Sequence, residues 1–115
     1  MIGVRIHLMA NTGKQKELRQ VVETIMQRII MEDGCLGCRA FQSLSNESEL
    51  VLIEEWENLE AAQTHATSET IAILAGAGTI LTERIRVYPE QDPDIQNLRK
   101  IFKARFPLKL TKDQQ

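Results

Sequence analysis

The opening of the chain, IGVRIHLM, alternates apolar and polar side chains. Val4, Ile6 and Leu8 fall on one side, and Arg5 and His7 fall on the other. A period of two residues is typical of a half-buried strand, because successive side chains of a strand point to opposite faces. The pattern therefore predicts a first strand with one apolar face.

The next segment, NTGKQKELRQVVETIMQRIIMEDG, changes to the period of a helix. Asn11 or Thr12 could cap its start, since their side-chain oxygens accept hydrogen bonds from free backbone N–H groups. Gly34 is predicted to end it, because glycine adopts the left-handed conformation at low cost. The apolar stripe of this helix comprises Leu18, Val21, Val22, Ile25, Met26 and Ile29.

Two short strand-like segments, CRAFQSL and ELVLIEEW, follow with SNES between them, and they predict a hairpin. A second helical region begins after Trp56, where Asn58 can cap it. Ser68 offers a second cap at which this helix would break and restart. The small residues AGAG, 75 to 78, are predicted to end the helical region, and TERIRVY is predicted to form a fourth strand.

The order strand, helix, strand, strand, helix, strand predicts an α+β fold of the ferredoxin-like type, with two helices on one face of an antiparallel four-stranded sheet. The third strand places Leu50, Leu52 and Trp56 on one face and Val51 and Ile53 on the other. Both faces of the sheet therefore need cover. We expect a homodimer whose sheets pack face to face as a dimeric α/β barrel, with remaining space between them as a pocket.

The composition changes after Tyr88, so we divide the chain into a domain of residues 1–89 and a C-terminal extension of residues 90–115. Asp92 followed by Pro93 is typical of a helix start. From residue 92 onward six Lys or Arg stand against three Asp, a net charge of +3. This amphipathic helix could dock on its own domain, strap across the dimer or bind another protein. Its apolar face would comprise Ile95, Leu98, Ile101, Phe102 and Phe106.

Composition and charge exclude several classes of protein. A chain of 115 residues with 43% hydrophobic and 26% charged residues fits one globular domain. Its net charge of -2 argues against a nucleic-acid-binding protein, which normally presents a basic surface. No apolar segment approaches the roughly 20 residues needed to span a bilayer, and the N-terminus lacks the pattern of a signal peptide. The expected location is the cytoplasm, away from membranes.

The two cysteines, Cys35 and Cys38 in GCLGC, have the spacing of a redox or zinc-binding pair. They follow the C-terminus of a helix, where the helix dipole disfavours a thiolate. Zinc would need two further ligands, and the order and spacing of His7 and His65 match no zinc finger. We interpret the pair as a turn residue and a small strand residue, and we expect no metal site.

The first strand offers two candidate pocket residues, His7 and Arg5. If the aliphatic row of this strand faces the helices, His7 and Arg5 point into the space between the two sheets of the dimer. They would supply a titratable nitrogen and a fixed positive charge. In the reverse register they would contact solvent or helix.

Four further residues could belong to a pocket. Trp56 and Tyr88 end the third and fourth strands, where each ring could be a packing anchor or a pocket wall. His65 on the second helix is the best acid–base candidate, because imidazole titrates near neutral pH; a lone helix histidine can also be structural. Glu54 faces the same side as Trp56, whereas Glu55 faces the other side, so the two carboxylates cannot act as a pair.

Over GCLGCRAFQSLSNESELVLIEEWENLEAAQTHATSE the chain resembles the antibiotic biosynthesis monooxygenase (ABM) family. The matching features are the glycine turn into the second strand, the EEW that ends the third, the NLEAAQTH helix opening and the restart at Ser68. In element order and lengths the resemblance extends over residues 2 to 89. His65 and Trp56 match the family's histidine and tryptophan positions.

The resemblance implies a dimeric α+β barrel whose pocket holds a small aromatic or quinone-like molecule. Several members of the family oxidise such compounds with dioxygen and no metal or organic cofactor. The related haem-degrading branch has an asparagine on its first strand, a tryptophan where this chain has His65, and a haem-ligating histidine near Ala75. The chain lacks all three, which argues against haem.

Two functions remain open at this point. The first is a cofactor-independent monooxygenase, an oxidoreductase acting on a small phenolic, quinol or polyketide-like compound, with His65 as base or orienting group and Trp56 as pocket wall. The second is a non-catalytic dimeric module that binds a small ligand or a protein through its C-terminal helix.

Overall fold

The computed structural model describes residues 1–89 and 96–106. The predicted order of strands and helices is confirmed, with the second helical region divided into two helices. The elements are β1 (Ile2–Ala10), α1 (Gln15–Ile29), β2 (Cys35–Gln42), β3 (Glu49–Trp56), α2 (Leu59–Ala66), α3 (Glu69–Leu81), β4 (Thr82–Pro89) and α4 (Gln96–Arg105).

The four strands form one antiparallel sheet in the order β2-β3-β1-β4. β1 is central, and its Ile6 lies opposite Leu52 of β3 and Val87 of β4. This is the strand order of a ferredoxin-like unit, in which both crossing helices pack on the same face of the sheet. The predicted α+β fold is therefore confirmed, whereas the homodimer stays a prediction.

The hydrophobic core lies between the sheet and the helices. The aliphatic row of β1 is almost fully buried on this side, as the alternation predicted. β3 contributes the matching row, because every second residue from Leu50 to Trp56 is buried. Helix α1 closes one end of the core with Leu18, Val22, Ile25 and Ile29.

Two predicted helix caps are confirmed. The Asn58 side chain accepts a hydrogen bond from the backbone N–H of Ala61 at 2.9 Å, and the Ser68 hydroxyl accepts one from Ile71 at 3.3 Å. Each cap satisfies an N–H group that has no partner within its helix. The restart at Ser68 allows the chain to change direction directly after the turn that carries His65.

Two predictions about α1 are wrong. The helix begins after Lys14 without a side-chain cap, and the Asn11 amide instead donates to the Ile80 carbonyl at 2.9 Å. The helix also ends at Ile29, before Gly34. Gly34 does adopt the left-handed conformation, with φ of 83°, but it does so in the turn that leads into β2.

The prediction that AGAG ends the helical region is also wrong, because α3 continues to Leu81. Glycine is tolerated here because α3 packs closely on β4. A Cβ atom at Gly78 would lie 2.8 Å from Cδ1 of Ile85, so the missing side chain permits this approach. At Gly76 a Cβ atom would meet nothing within 4 Å, so the close approach is confined to Gly78.

The C-terminal helix α4 docks on its own chain. Its residues Leu98, Phe102 and Phe106 are buried in the same core as the sheet, where α4 contacts α2, α3 and β4. The predicted start at Asp92 and Pro93 lies outside the described residues. Within residues 1–89 and 96–106, no helix combines the length and the apolar character that crossing a membrane would require.

The other face of the sheet carries no helix from the described part of the chain. Val51 and Ile53 on β3 are half-buried there, and Phe41 on β2 is 48% exposed. These apolar side chains are interleaved with charged ones such as Arg39 and Glu55, whose nearest charged atoms are 3.9 Å apart. We call this surface the open face.

Candidate functional site

The structure brings three of the predicted site residues together on the helix side of the sheet. Glu54 and Trp56 are two residues apart on β3 and therefore point to the same face. His65 reaches them from the last turn of α2. The Trp56 and His65 rings are stacked, with centroids 4.4 Å apart and an interplanar angle of 27°.

Glu54 connects the two rings. Its Oε1 accepts a hydrogen bond from Nε1 of Trp56 at 3.1 Å, and its Oε2 lies 3.1 Å from Nε2 of His65. The side chains of Glu54 and His65 have no exposed surface. A buried carboxylate is costly unless its oxygens are hydrogen-bonded, and here both are.

A fourth residue, Glu32, completes the arrangement and was not predicted from the sequence. Its two carboxylate oxygens lie 3.0 Å and 3.1 Å from Nδ1 of His65. The turn that carries it is held to the start of α2, because the Gly34 carbonyl accepts a hydrogen bond from the backbone N–H of Glu57 at 2.8 Å. A Cβ atom at Gly34 would lie 2.5 Å from Cβ of Ala61, so glycine permits this contact.

We refer to Glu32, His65 and Glu54 as the acid–histidine cluster. Burial acts to lower the pKa of His65, but the hydrogen bonds and charges of Glu54 and Glu32 outweigh burial, and the net pKa is raised above 6.5. His65 also lies at the C-terminus of α2, where the helix dipole favours a cation. The two carboxylates and the helix dipole therefore favour the protonated ring.

Helix α4 covers this cluster. The Phe102 ring meets the His65 ring edge-on, with centroids 6.4 Å apart. The Arg105 guanidinium donates hydrogen bonds to the carbonyls of Ala66 and Ser68, each at 3.2 Å, and so fastens α4 to the end of α2. Trp56 is fully buried and His65 is 1% exposed. Because both rings are buried, a ligand could reach them only if a covering element such as α4 moved.

The two cysteines lie beside the cluster without joining it. Cys35 is paired with Trp56, and Cys38 with Glu54, across the β2–β3 ladder. Both are free thiols. Burial, followed by the charge of Glu54, raises the pKa of Cys38 to about 12, so this thiol stays protonated at neutral pH. Within residues 1–89 and 96–106, no group of three or more His, Cys, Asp or Glu side chains is placed to hold a metal ion.

The other three predicted site residues lie on the open face, separated from His65 by the sheet. Arg5 points over the Tyr88 ring at 5.1 Å, and the His7 and Tyr88 rings meet edge-on at 5.0 Å. Partial burial, followed by the positive charge of Arg5, lowers the pKa of His7. Arg5 and His7 therefore point away from the helices, which is the first of the two registers considered for β1. Together with Tyr88 they form a second group, separate from the acid–histidine cluster.

Comparison with known families identifies one match. The family model described as antibiotic biosynthesis monooxygenase matches residues 1–72, which include the whole acid–histidine cluster. A comparison with curated proteins finds none that matches the chain.

Solved structures share the fold at low sequence identity. A proposed antibiotic biosynthesis monooxygenase from Deinococcus radiodurans is 24% identical with a TM-score of 0.72, and the match covers 80% of this chain and 92% of that one. A proposed antibiotic biosynthesis monooxygenase from Nitrosomonas europaea is 15% identical with a TM-score of 0.72, covering 81% of this chain and 99% of that one. The protein PA3566 from Pseudomonas aeruginosa is 16% identical with a TM-score of 0.72, covering 79% and 92%.

Proposed function

The chain belongs to the antibiotic biosynthesis monooxygenase family, and we propose that it oxidises a small phenolic, quinol or polyketide-like compound with dioxygen beside Trp56 and His65. Membership of this family supports an activity of the monooxygenase type. The substrate class, the use of no metal or organic cofactor and the homodimer are further parts of the proposal, and they follow from the family resemblance.

One observation carries the proposal: an ionisable cluster is buried against an aromatic ring where the helices meet the sheet. Burying charged groups is costly, so a fold rarely keeps a carboxylate and an imidazole fully buried beside a second carboxylate without a use for them. The Trp56 ring, which is buried against His65, is of the kind on which aromatic compounds stack once a covering element moves. The cluster supplies proton acceptors within a site from which water is excluded.

The proposed chemistry requires little from the protein. A proton leaves the activated CH2 or OH group of the substrate, and the resulting anion gives one electron to dioxygen. The two radicals then combine with formation of a C–O bond. When the O–O bond breaks, a CH2 group has become a carbonyl, one oxygen atom stays in the product and the other leaves as water with the two hydrogens. The acid–histidine cluster would take the first proton.

The open face supports the second part of the proposal, the homodimer. Val51 and Ile53 are half-buried and Phe41 is largely exposed on this surface, and apolar groups of this kind favour a partner. A second copy packed on it would place Arg5 and Tyr88 between the two sheets. Native mass spectrometry of the untagged protein tests this directly, because a monomer at micromolar concentration would contradict the dimer.

The predicted alternative is a binding module that uses its C-terminal helix. In the structure the apolar residues of α4 are already packed, since Leu98, Phe102 and Phe106 are buried in the chain's own core. This surface is therefore occupied. We therefore do not propose the alternative.

Oxygen uptake with a panel of hydroquinones and anthrones tests the proposed activity. We expect uptake to fall at least about tenfold in His65→Ala, because loss of one acid–base group typically costs on the order of 100-fold or more in rate. Thr64→Ala changes an exposed neighbour on the same helix and serves as the matched control. Labelled dioxygen should leave one labelled atom in the product. Full activity in His65→Ala would rule out the site.

A further inference from the structure

We propose that Glu32 is a positioning residue that, together with Glu54, holds His65 with both ring nitrogens in hydrogen bonds, so that the proton acceptor of the site is a carboxylate and not the imidazole. The role in the reaction rests on the proposed function. The state of His65 does not, because it follows from the geometry alone.

The contacts of His65 fix the number of protons in the acid–histidine cluster. Carboxylates offer only lone pairs, so a carboxylate on each side of the ring requires an N–H on each side. Glu32 occupies Nδ1 at 3.0 Å and Glu54 occupies Nε2 at 3.1 Å. Moving one proton from the ring to either carboxylate leaves the total unchanged. Three groups therefore share two protons and one net negative charge.

This count decides which atom can act as a base. Whether both protons lie on the ring or one has moved to a carboxylate, the imidazole has no free lone pair for a substrate, because each ring nitrogen is hydrogen-bonded to a carboxylate. A third proton must go to a carboxylate, and its arrival makes the buried cluster neutral, which burial favours.

Glu32 also gives the cluster an outlet to solvent. Its side chain is 22% exposed, whereas the side chain of His65 is fully buried, as is that of Glu54. Glu54, His65 and Glu32 thus form a line of hydrogen-bonding groups from the interior to the surface. A proton taken up at the buried end can leave through His65 and Glu32 without movement of the backbone.

The charged groups around His65 are consistent with this assignment. Glu54 faces it from β3 and Glu32 faces it from the turn after α1. Arg105 of α4 bonds the carbonyls that follow His65, and its positive charge opposes protonation of the ring. Cys35 and Cys38 on β2 have raised pKa values and are neutral thiols. Two carboxylates in direct contact outweigh one cation that is bonded elsewhere.

The test is a titration of the His65 ring nitrogens by NMR, which requires no substrate. In the unaltered protein we expect both nitrogens to stay protonated above pH 6.5, because the pKa of His65 is raised. Glu32→Gln removes the charge but keeps an acceptor, and we expect the protonation constant of the ring to fall about tenfold or more. Glu32→Asp should restore most of it. Glu60→Gln is the matched control, because it removes an exposed carboxylate from α2.

A His65 ring that is singly protonated at neutral pH in the unaltered protein would overturn the proposal, as would a Glu32→Gln titration equal to that of the unaltered protein. If Glu32→Gln does not fold, the titrations of the unaltered protein and of Glu32→Asp still decide the matter. An unaltered protein that shows the expected His65 titration but no oxygen uptake would instead count against the proposed function. The two failures are therefore distinguishable.

Discussion

Replacing Phe102 by alanine should detach α4 and expose the acid–histidine cluster. The Phe102 side chain is fully buried, and removing a buried phenylalanine typically costs about 3–5 kcal/mol. Helix α4 has 10 residues, and isolated helices shorter than about 12–15 residues are marginal in water. Two apolar anchors remain besides the Arg105 hydrogen bonds, and these two, Leu98 and Phe106, each contribute roughly 1.5–3 kcal/mol through burial. The loss at Phe102 is comparable to what both supply, so α4 should spend much of its time undocked.

Trp56 reports this event because it is the only tryptophan in the chain. It is fully buried in the native protein. In Phe102→Ala we expect its fluorescence to shift to longer wavelength and to become accessible to acrylamide, while circular dichroism shows the loss of little more than one short helix. Lys103→Ala changes an exposed residue of the same helix and should alter neither signal.

Two results would refute this reasoning. If Trp56 stays as protected from acrylamide in Phe102→Ala as in the unaltered protein, α4 does not control access to it. If Phe102→Ala loses the expected stability but the whole protein unfolds in one cooperative step, α4 does not detach separately from the rest of the core. In that case substrate would have to enter by another route.

Three further outcomes are expected. Gly34→Ala should destabilise the protein much more than Gly13→Ala, because both glycines have positive φ but only at Gly34 would the new Cβ collide with a neighbour; chemical denaturation measures the difference. Arg105→Ala removes two hydrogen bonds to carbonyls and should cost about 1.5–3 kcal/mol, seen as a lower denaturation midpoint. The raised pKa of His65 adds stability that is complete below pH 6.5 and lost as pH rises through the folded value; denaturation midpoints across pH should show this slope, and His65→Gln should remove it.

The fold could be predicted because its signals are local. The alternation in β1 and β3 and the stripe of α1 each occupy one short segment, and they decided the order of the elements. The side chains of Asn58 and Ser68 accept hydrogen bonds from N–H groups only three residues away. These two caps could therefore also be predicted from the sequence. Asn11 was misassigned because its amide bonds Ile80, 69 residues away, a competition that local sequence does not reveal.

The acid–histidine cluster could be predicted only in part. Glu54 and Trp56 were placed on one face by the period of a strand, and His65 was selected for its chemistry. Glu32 looks like any acidic residue after a helix. It reaches His65, 33 residues along the chain, because the turn at Gly34 packs on α2. A contact of this kind depends on the packing of two elements, which no local pattern encodes.

Ile53 and Glu54 allow the two parts of the proposed function to be separated experimentally. They are adjacent in β3, yet Ile53 is half-buried on the open face and Glu54 is buried on the helix side. If the open face is the dimer interface, Ile53→Asp should yield monomers while the titration of His65 is retained. Glu54→Gln should keep the dimer, remove one of the two charges that hold the ring protonated, and lower oxygen uptake. If Ile53→Asp instead leaves the mass of the assembly unchanged, the open face is not the dimer interface.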